Sequence, residues 1–195
     1  MERKMGVAMV VLAFGLGALS VGLPTRAQDT PQKSEATKAL PTASQAVLAQ
    51  WNEIGRKLIA MAADFPEDKY DFKPTPEVRS FAGQLLHVSV SMDYFTSPVM
   101  GQKLPASEDP SRAQYKTKAD VVAFVKKCVE DGAAAIKSKG DKGMAETVSD
   151  PESKQPVRVS DLAYGLIEHS GEHYGQLVVY YRLSGLVPPE SRPKK

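Results

Sequence analysis

Residues 160–185 read SDLAYGLIEHSGEHYGQLVVYYRLSG, and the fold turns on how this stretch is read. At about 100° per residue, Leu162, Leu166, His169, His173, Leu177 and Tyr180 fall along one azimuth, so the stretch is expected to be a helix with that face turned inward. Ser160 is the expected N-cap, with Asp161 and Glu168 in the early turns. Gly185 ahead of Pro188-Pro189 supplies the stop.

Three further helices are expected upstream. Val47, Leu48, Trp51, Ile54, Leu58, Ile59 and Met61 recur three and four apart, which predicts a helix from Ser44, its cap, to Asp64. The segment from Pro66 to Pro76 is too rich in proline for a helix interior and is expected to be an ordered surface connection carrying Tyr70 and Phe72. Ser80 caps a second helix with Phe81, Leu85, Val88, Met92 and Phe95 as its stripe, running to about Thr96 and stopped by Pro98. Thr117 and Asp120 resemble a capping box for a third, through Val121, Val125, Cys128, Val129, Ala133 and Ile136 to about Lys137, closed by Gly140. Residues 98–115 form a long connection expected to act as a lid or a crossover. Residues 140–159 form another, extended near Pro156–Val159, where no strand is assigned. Four helices and two long connections define an all-α four-helix bundle over residues 44–190, with a short basic tail at 191–195.

The N-terminus reads as a secretory signal. Glu2, Arg3 and Lys4 precede an uncharged apolar run from Met5 to Leu23, and Thr25-Arg26-Ala27 offers a cleavage site, so residues 1–27 are expected to be removed and the protein to be periplasmic or secreted. The alternative is an uncleaved anchor. Residues 28–43 are polar and lack a helical period, as a flexible lead-in would. Taking Arg3, Lys4, Arg26 and Glu2 away from 25 basic and 23 acidic residues leaves 22 of each, which gives no electrostatic case for nucleic acid. Nor is a membrane partner expected after cleavage. The sole cysteine, Cys128, lies among Phe124, Val125 and Val129 and is expected to pack as a small buried hydrophobe.

The chain has three histidines. His169 and His173 stand four apart, which places their side chains on one helix face about 5 to 6 Å apart at Cβ, close enough to share an ion. An H-x-x-x-H pair alone is a weak signal, because single histidines are usually hydrogen-bonded packing residues. In this chain, however, all three occupy apolar or apolar-flank positions of two helices, and burying three imidazoles without a shared partner repeats a desolvation cost. His87, on the second helix beside Ser91 and Tyr94, is the remaining candidate ligand.

The run FKPTPEVRSF at 72–81, Leu86-His87, HSGEHYGQL at 169–177 and GLVPP at 185–189 together resemble the DinB family of metal-binding four-helix bundles, over most of residues 45–190. The family's motif, one histidine on the second helix and an H-x-x-x-H pair on the last, falls on His87, His169 and His173. Many members carry an acidic residue after the first histidine of the pair and an arginine after the second. This chain has Ser170 and Tyr174, a departure that bears on the substrate and not on the metal.

The resemblance implies a divalent transition metal, with zinc, nickel, iron and manganese as candidates, a bundle with a crossover, and a homodimer. It also implies two functional readings. One is a metal-dependent transferase using a small thiol, or a hydrolase, acting on a small molecule. The other, which the expected export favours, is a non-enzymatic exported module that binds a metal or small ligand or serves as a homodimeric interaction protein. Ser91, Tyr94, Glu172, Gln176 and Tyr180 are nearby polar groups with no assigned catalytic role. Export weakens the thiol version, because small thiols oxidise outside the cytosol.

Overall fold

The computed structural model describes residues 39–105 and 109–194. The signal segment and most of the lead-in expected at 28–43 lie outside the described residues. Four helices carry the structure: α1 (Ala43–Asp64), α2 (Phe81–Val99), α3 (Lys118–Met144) and α4 (Val159–Leu183). A hairpin of β1 (Thr147–Ser149) and β2 (Pro156–Arg158) lies between the last two. Among the described residues no helix is long and apolar enough to cross a membrane.

Hydrogen bonds at the helix ends fix the chain direction. Ser44 at the start of α1 bonds Asp141 near the end of α3, and the Val159 N–H that opens α4 donates to Glu146. At the other end, Lys118 of α3 donates to Glu67 and Phe65 just beyond α1, while Tyr181 of α4 bonds Met61 and Asp64. So α1 and α4 run one way, and α2 and α3 the other. Around the bundle the order is α1, α3, α2, α4, which leaves α1 diagonal to α2 and α3 diagonal to α4. Because α2 and α3 are parallel neighbours, the connection between them must return along the bundle, a length of about 28 Å for the 19 residues of α2. The stretch at 98–115 is therefore the crossover.

Local chemistry explains where the elements depart from the expected ones. The cap of α1 is Thr42, whose N–H donates to Gln45 Oε1 at 3.0 Å, and not Ser44, whose hydroxyl and N–H are both spent on Asp141. Helix α2 runs past Pro98. A proline this close to the end removes only one intrahelical donor, and the stop comes from Gly101, at φ +66°, whose N–H and that of Gln102 return to Pro98 and Ser97. Gly140, at φ +57°, does interrupt α3, but one more turn follows it to Met144. Helix α4 starts at Val159 with Arg158 at the cap position, not Ser160, because β2 feeds straight into it. The expected caps Ser80 and Thr117–Asp120 both form, and Gly185, at φ +75°, closes α4 with Leu186 N–H donating to Tyr181.

Two glycines let α1 and α3 approach closely. A Cβ at Gly132 would lie 2.0 Å from Trp51, and one at Gly55 2.4 Å from Val129. Trp51 is wholly buried, its Nε1–H donating to the Val129 carbonyl at 2.9 Å and its ring 5.1 Å from Phe95. Cys128 is buried as expected, and burial pushes its thiol up. At the opposite end Phe65 stacks on Phe81 at 3.7 Å, with Tyr70 and Tyr181 against them. The proline-rich connection is thus pinned by Tyr70, whose hydroxyl donates to the Ala62 carbonyl.

Arg192, in the basic tail, forks onto Asp64, and that bond, opposed by burial and helped by the Tyr181 hydroxyl, holds the carboxyl below its ordinary range. A carboxyl depressed on folding adds stability above its unfolded pKa and loses it as the pH falls. Urea unfolding should therefore show Asp64→Asn less stable than the parent at pH 7 by up to about 1 kcal/mol, the pair being partly exposed. The gap should close towards pH 3.

Candidate metal site

Helices α2 and α4 are antiparallel neighbours, and their facing sides hold the three histidines. Ring centroids are 5.5 Å apart for His87 and His169, 4.7 Å for His87 and His173, and 4.5 Å for His169 and His173. One ring nitrogen from each lies within 4.8 Å of the other two. Nitrogens bound to one zinc at about 2.0–2.1 Å would stand near 3.3 Å apart in a tetrahedral arrangement, so small ring rotations bring all three within reach of a common ion.

Two of the rings are already oriented. His173 Nδ1 lies 2.8 Å from Gln84 Oε1, and His87 Nδ1 lies 2.7 Å from Asp109 Oδ1. Both partners are oxygens, so each Nδ1 is the donor and each Nε2 is left clear of these bonds. Gln84 is buried and stands three residues before His87 on the same face of α2. Asp109 comes from the crossover, and its second oxygen accepts from Arg79 Nε at 2.8 Å. Its carboxyl, though burial works to raise it, is held below its ordinary range by the bonds to His87 and Arg79. His169 has a buried Nε2 with no hydrogen-bond partner among the described residues.

Burial also sets the charge state of the pair on α4. His169 is pushed down by burial first and by His87 second, and His173 is pushed down to about 4 by burial, His169 and His87. Both rings are therefore neutral at pH 7, the form in which imidazole binds metal. The donor set is three imidazole nitrogens, with partners placed to fix two of the rings and an orphaned buried nitrogen on the third. It suits a divalent transition metal.

A cavity of about 470 Å³ opens beside His87 and His169. Val90, Ser91 and Tyr94 of α2 and Leu162, Gly165 and Leu166 of α4 form its walls, and the hairpin tip, Asp150 to Glu152, lies over it with Pro151 buried. Of the nearby polar groups picked out in the sequence, Ser91 and Tyr94 line this cavity, although the Ser91 hydroxyl donates to the His87 carbonyl. Gln176 and Tyr180 line a separate groove with Gln84 and Arg79, and Glu172 is exposed. Gln84, Asp109 and the hairpin tip were not picked out in the sequence. Of these only Gln84 left a signal, its three-residue spacing from His87.

The architecture and the placement of the histidines define a class. The chain belongs to the DinB superfamily, whose family model matches residues 50–177 and so includes all three histidines. Among solved structures, a DinB-like protein from Bacillus cereus is similar at a TM-score of 0.61 and 18% identity, over 73% of this chain and 93% of that one. A DinB-like protein from Bacillus subtilis is similar at 0.59 and 18%, over 76% and 99%. A conserved protein from Enterococcus faecalis is similar at 0.53 and 13%, over 74% and 98%. At these identities the likeness shows the fold. No curated protein matches the chain.

Proposed function

We propose that this is an exported protein that binds one divalent transition-metal ion through His87, His169 and His173, and that the ion serves a transferase or hydrolase acting on a small molecule in the adjoining cavity. The observation that carries the reading is the meeting of the chain's three histidines at one point, with Nδ1 of two of them engaged by Asp109 and Gln84. Zinc, nickel, iron and manganese all suit the site. An ion held by neutral ligands keeps its full charge and supplies a Lewis acid that polarises a bound group or lowers the pKa of a nucleophile. The residues around it bind and orient: Asp109 and Gln84 hold two rings, Arg79 holds Asp109, and the apolar walls with Pro151 above them limit access of water. Export is supported by the charged start, apolar run and small-residue site of residues 1–27.

The test is a screen of the purified chain 28–195 against esters and thiol adducts, with and without the ion. Turnover that disappears on chelation, and in the triple His→Ala variant, supports the enzyme. Turnover that survives both eliminates it. A second reading, a non-enzymatic and dimeric binding module, is favoured by one observation: Asp109 is engaged by Arg79 and His87, and the Ser91 hydroxyl by its own helix, so neither is free to act as a base. One ion per chain with no turnover in the screen, and a dimer in sedimentation, would support it.

Asp109→Ala should weaken the metal about tenfold or more, the usual loss when the partner that orients a ligating imidazole is removed. Competition with a chromophoric chelator measures it. Melting of the metal-free protein should barely change, because Asp109 is exposed and not part of the core.

A further inference from the structure

The charges around the cavity are of one sign. Its acidic residues are Asp109, Asp150, Glu152 and Asp161, and neither lysine nor arginine is among its lining residues. Two of these carboxylates are already neutralised, Asp109 by Arg79 and Asp161 by Arg158. The other two belong to the hairpin tip. Asp150 spends one oxygen on the backbone N–H groups of Glu152 and Ser153, which shapes the turn and leaves its net charge in place. Lys154, the nearest cation of the tip, donates to the Pro151 carbonyl and does not line the cavity, though its charge partly offsets that of Asp150. Glu152 has no ion-pair partner among the described residues.

The cavity is more than an acidic surface. It is a defined volume of about 470 Å³ whose lining includes His169, with a buried Nε2 that has no hydrogen-bond partner among the described residues, and the apolar Val90, Val157, Leu162 and Leu166. The lining thus combines His87 and His169, four aliphatic side chains and the two carboxylates of the hairpin tip. A ligand complementary to that lining carries a donor group for the histidines, an apolar body and a positive charge.

Resting on the proposed metal site, we propose that the cavity takes small amine-bearing molecules, with the donor end at the three histidines and the cationic end at Glu152 and Asp150, and that it disfavours acids of the same length. The anionic tail would lie beside two like charges, and the cationic one beside opposite charges.

Three six-carbon alkanethiols that differ only at the far end, 6-aminohexanethiol, 6-mercaptohexanol and 6-mercaptohexanoate, test this on the cobalt-loaded chain. Thiolate binding to cobalt gives a charge-transfer band that reports occupancy without turnover. The expected order of affinity is amine, alcohol, acid, with about threefold or more at each step. In Glu152→Gln the amine-to-acid span should shrink by at least about threefold, while cobalt affinity stays unchanged. Equal or tighter binding of the acid, or a span that Glu152→Gln leaves intact, overturns the proposal. Failure of cobalt to bind overturns the metal reading separately. In that case hexylamine, hexanol and hexanoate, titrated into the metal-free chain and followed by NMR shifts of the Leu162 and Leu166 methyl groups, still decide the tail preference, amine-first order supporting it and any other order overturning it.

Discussion

His173→Ala should weaken metal binding by at least about a hundredfold. Losing an outer-shell partner alone costs about 10–100-fold, and His173 is itself a proposed ligand, with its Nδ1 already fixed by Gln84 at 2.8 Å. His87→Ala and His169→Ala should do the same, since two imidazoles are left in each case. Chelator competition measures all three. Because His173 is buried, its truncation also opens space between α2 and α4, so melting of the metal-free variant is the control. A small loss of metal-free stability beside a large loss of affinity supports ligation. A hundredfold loss from His173→Ala with no loss from His87→Ala would mean that α2 holds no ligand. Added metal should raise the melting temperature of the parent by mass action and leave the triple variant unmoved.

The largest expected effect on stability lies far from the histidines. Trp51→Ala should cost about 3–5 kcal/mol, the range for truncating a buried large aromatic, out of a total of about 5–15 for a domain. The indole fills the α1–α3 seam over Gly132, reaches Phe95 of α2, and satisfies the Val129 carbonyl. Gly132→Ala should be costly for the complementary reason, by about 1–3 kcal/mol, because its Cβ would sit 2.0 Å from the Trp51 ring. The two substitutions should not add. In Trp51→Leu the smaller side chain leaves room for the alanine, so Gly132→Ala should then be nearly neutral. Equal costs of Gly132→Ala in both backgrounds, measured by urea unfolding, would mean that the seam does not depend on this contact.

That seam marks a limit of what could be read in the sequence. A glycine inside a helix looks there like a simple loss of helix propensity, and nothing local shows that Gly55 and Gly132 face Val129 and Trp51 across a packed interface. The four helices themselves were legible, because the apolar residues of each keep a period of three and four over at least four turns. Their ends were less so. Thr42 outcompetes Ser44 as a cap since Asp141, 97 residues away, takes the serine, and Pro98 sits near enough to the terminus to be tolerated. The hairpin was not assigned, for each strand is three residues long with one half-buried valine, Val148 or Val157, too little to show an alternation.

The site divides in the same way. His169 and His173 announce themselves by spacing on one helix. His87 needed the resemblance, because its distance to them is a matter of bundle topology. Asp109 and Glu152 lie in stretches without a period, one in the crossover and one at the hairpin tip, and their place beside the cavity arises from the path of the chain and not from any local pattern.

The claim that three imidazoles share one ion is tested most directly by the metal content of the purified chain and the X-ray absorption edge of whatever it holds. The expected result is one divalent transition-metal ion per chain with three imidazole nitrogens at about 2.0–2.1 Å if the ion is zinc, and none in the His87, His169 and His173 triple alanine variant. A chain that retains no ion after loading, or an ion whose scattering shows no imidazole, would contradict it.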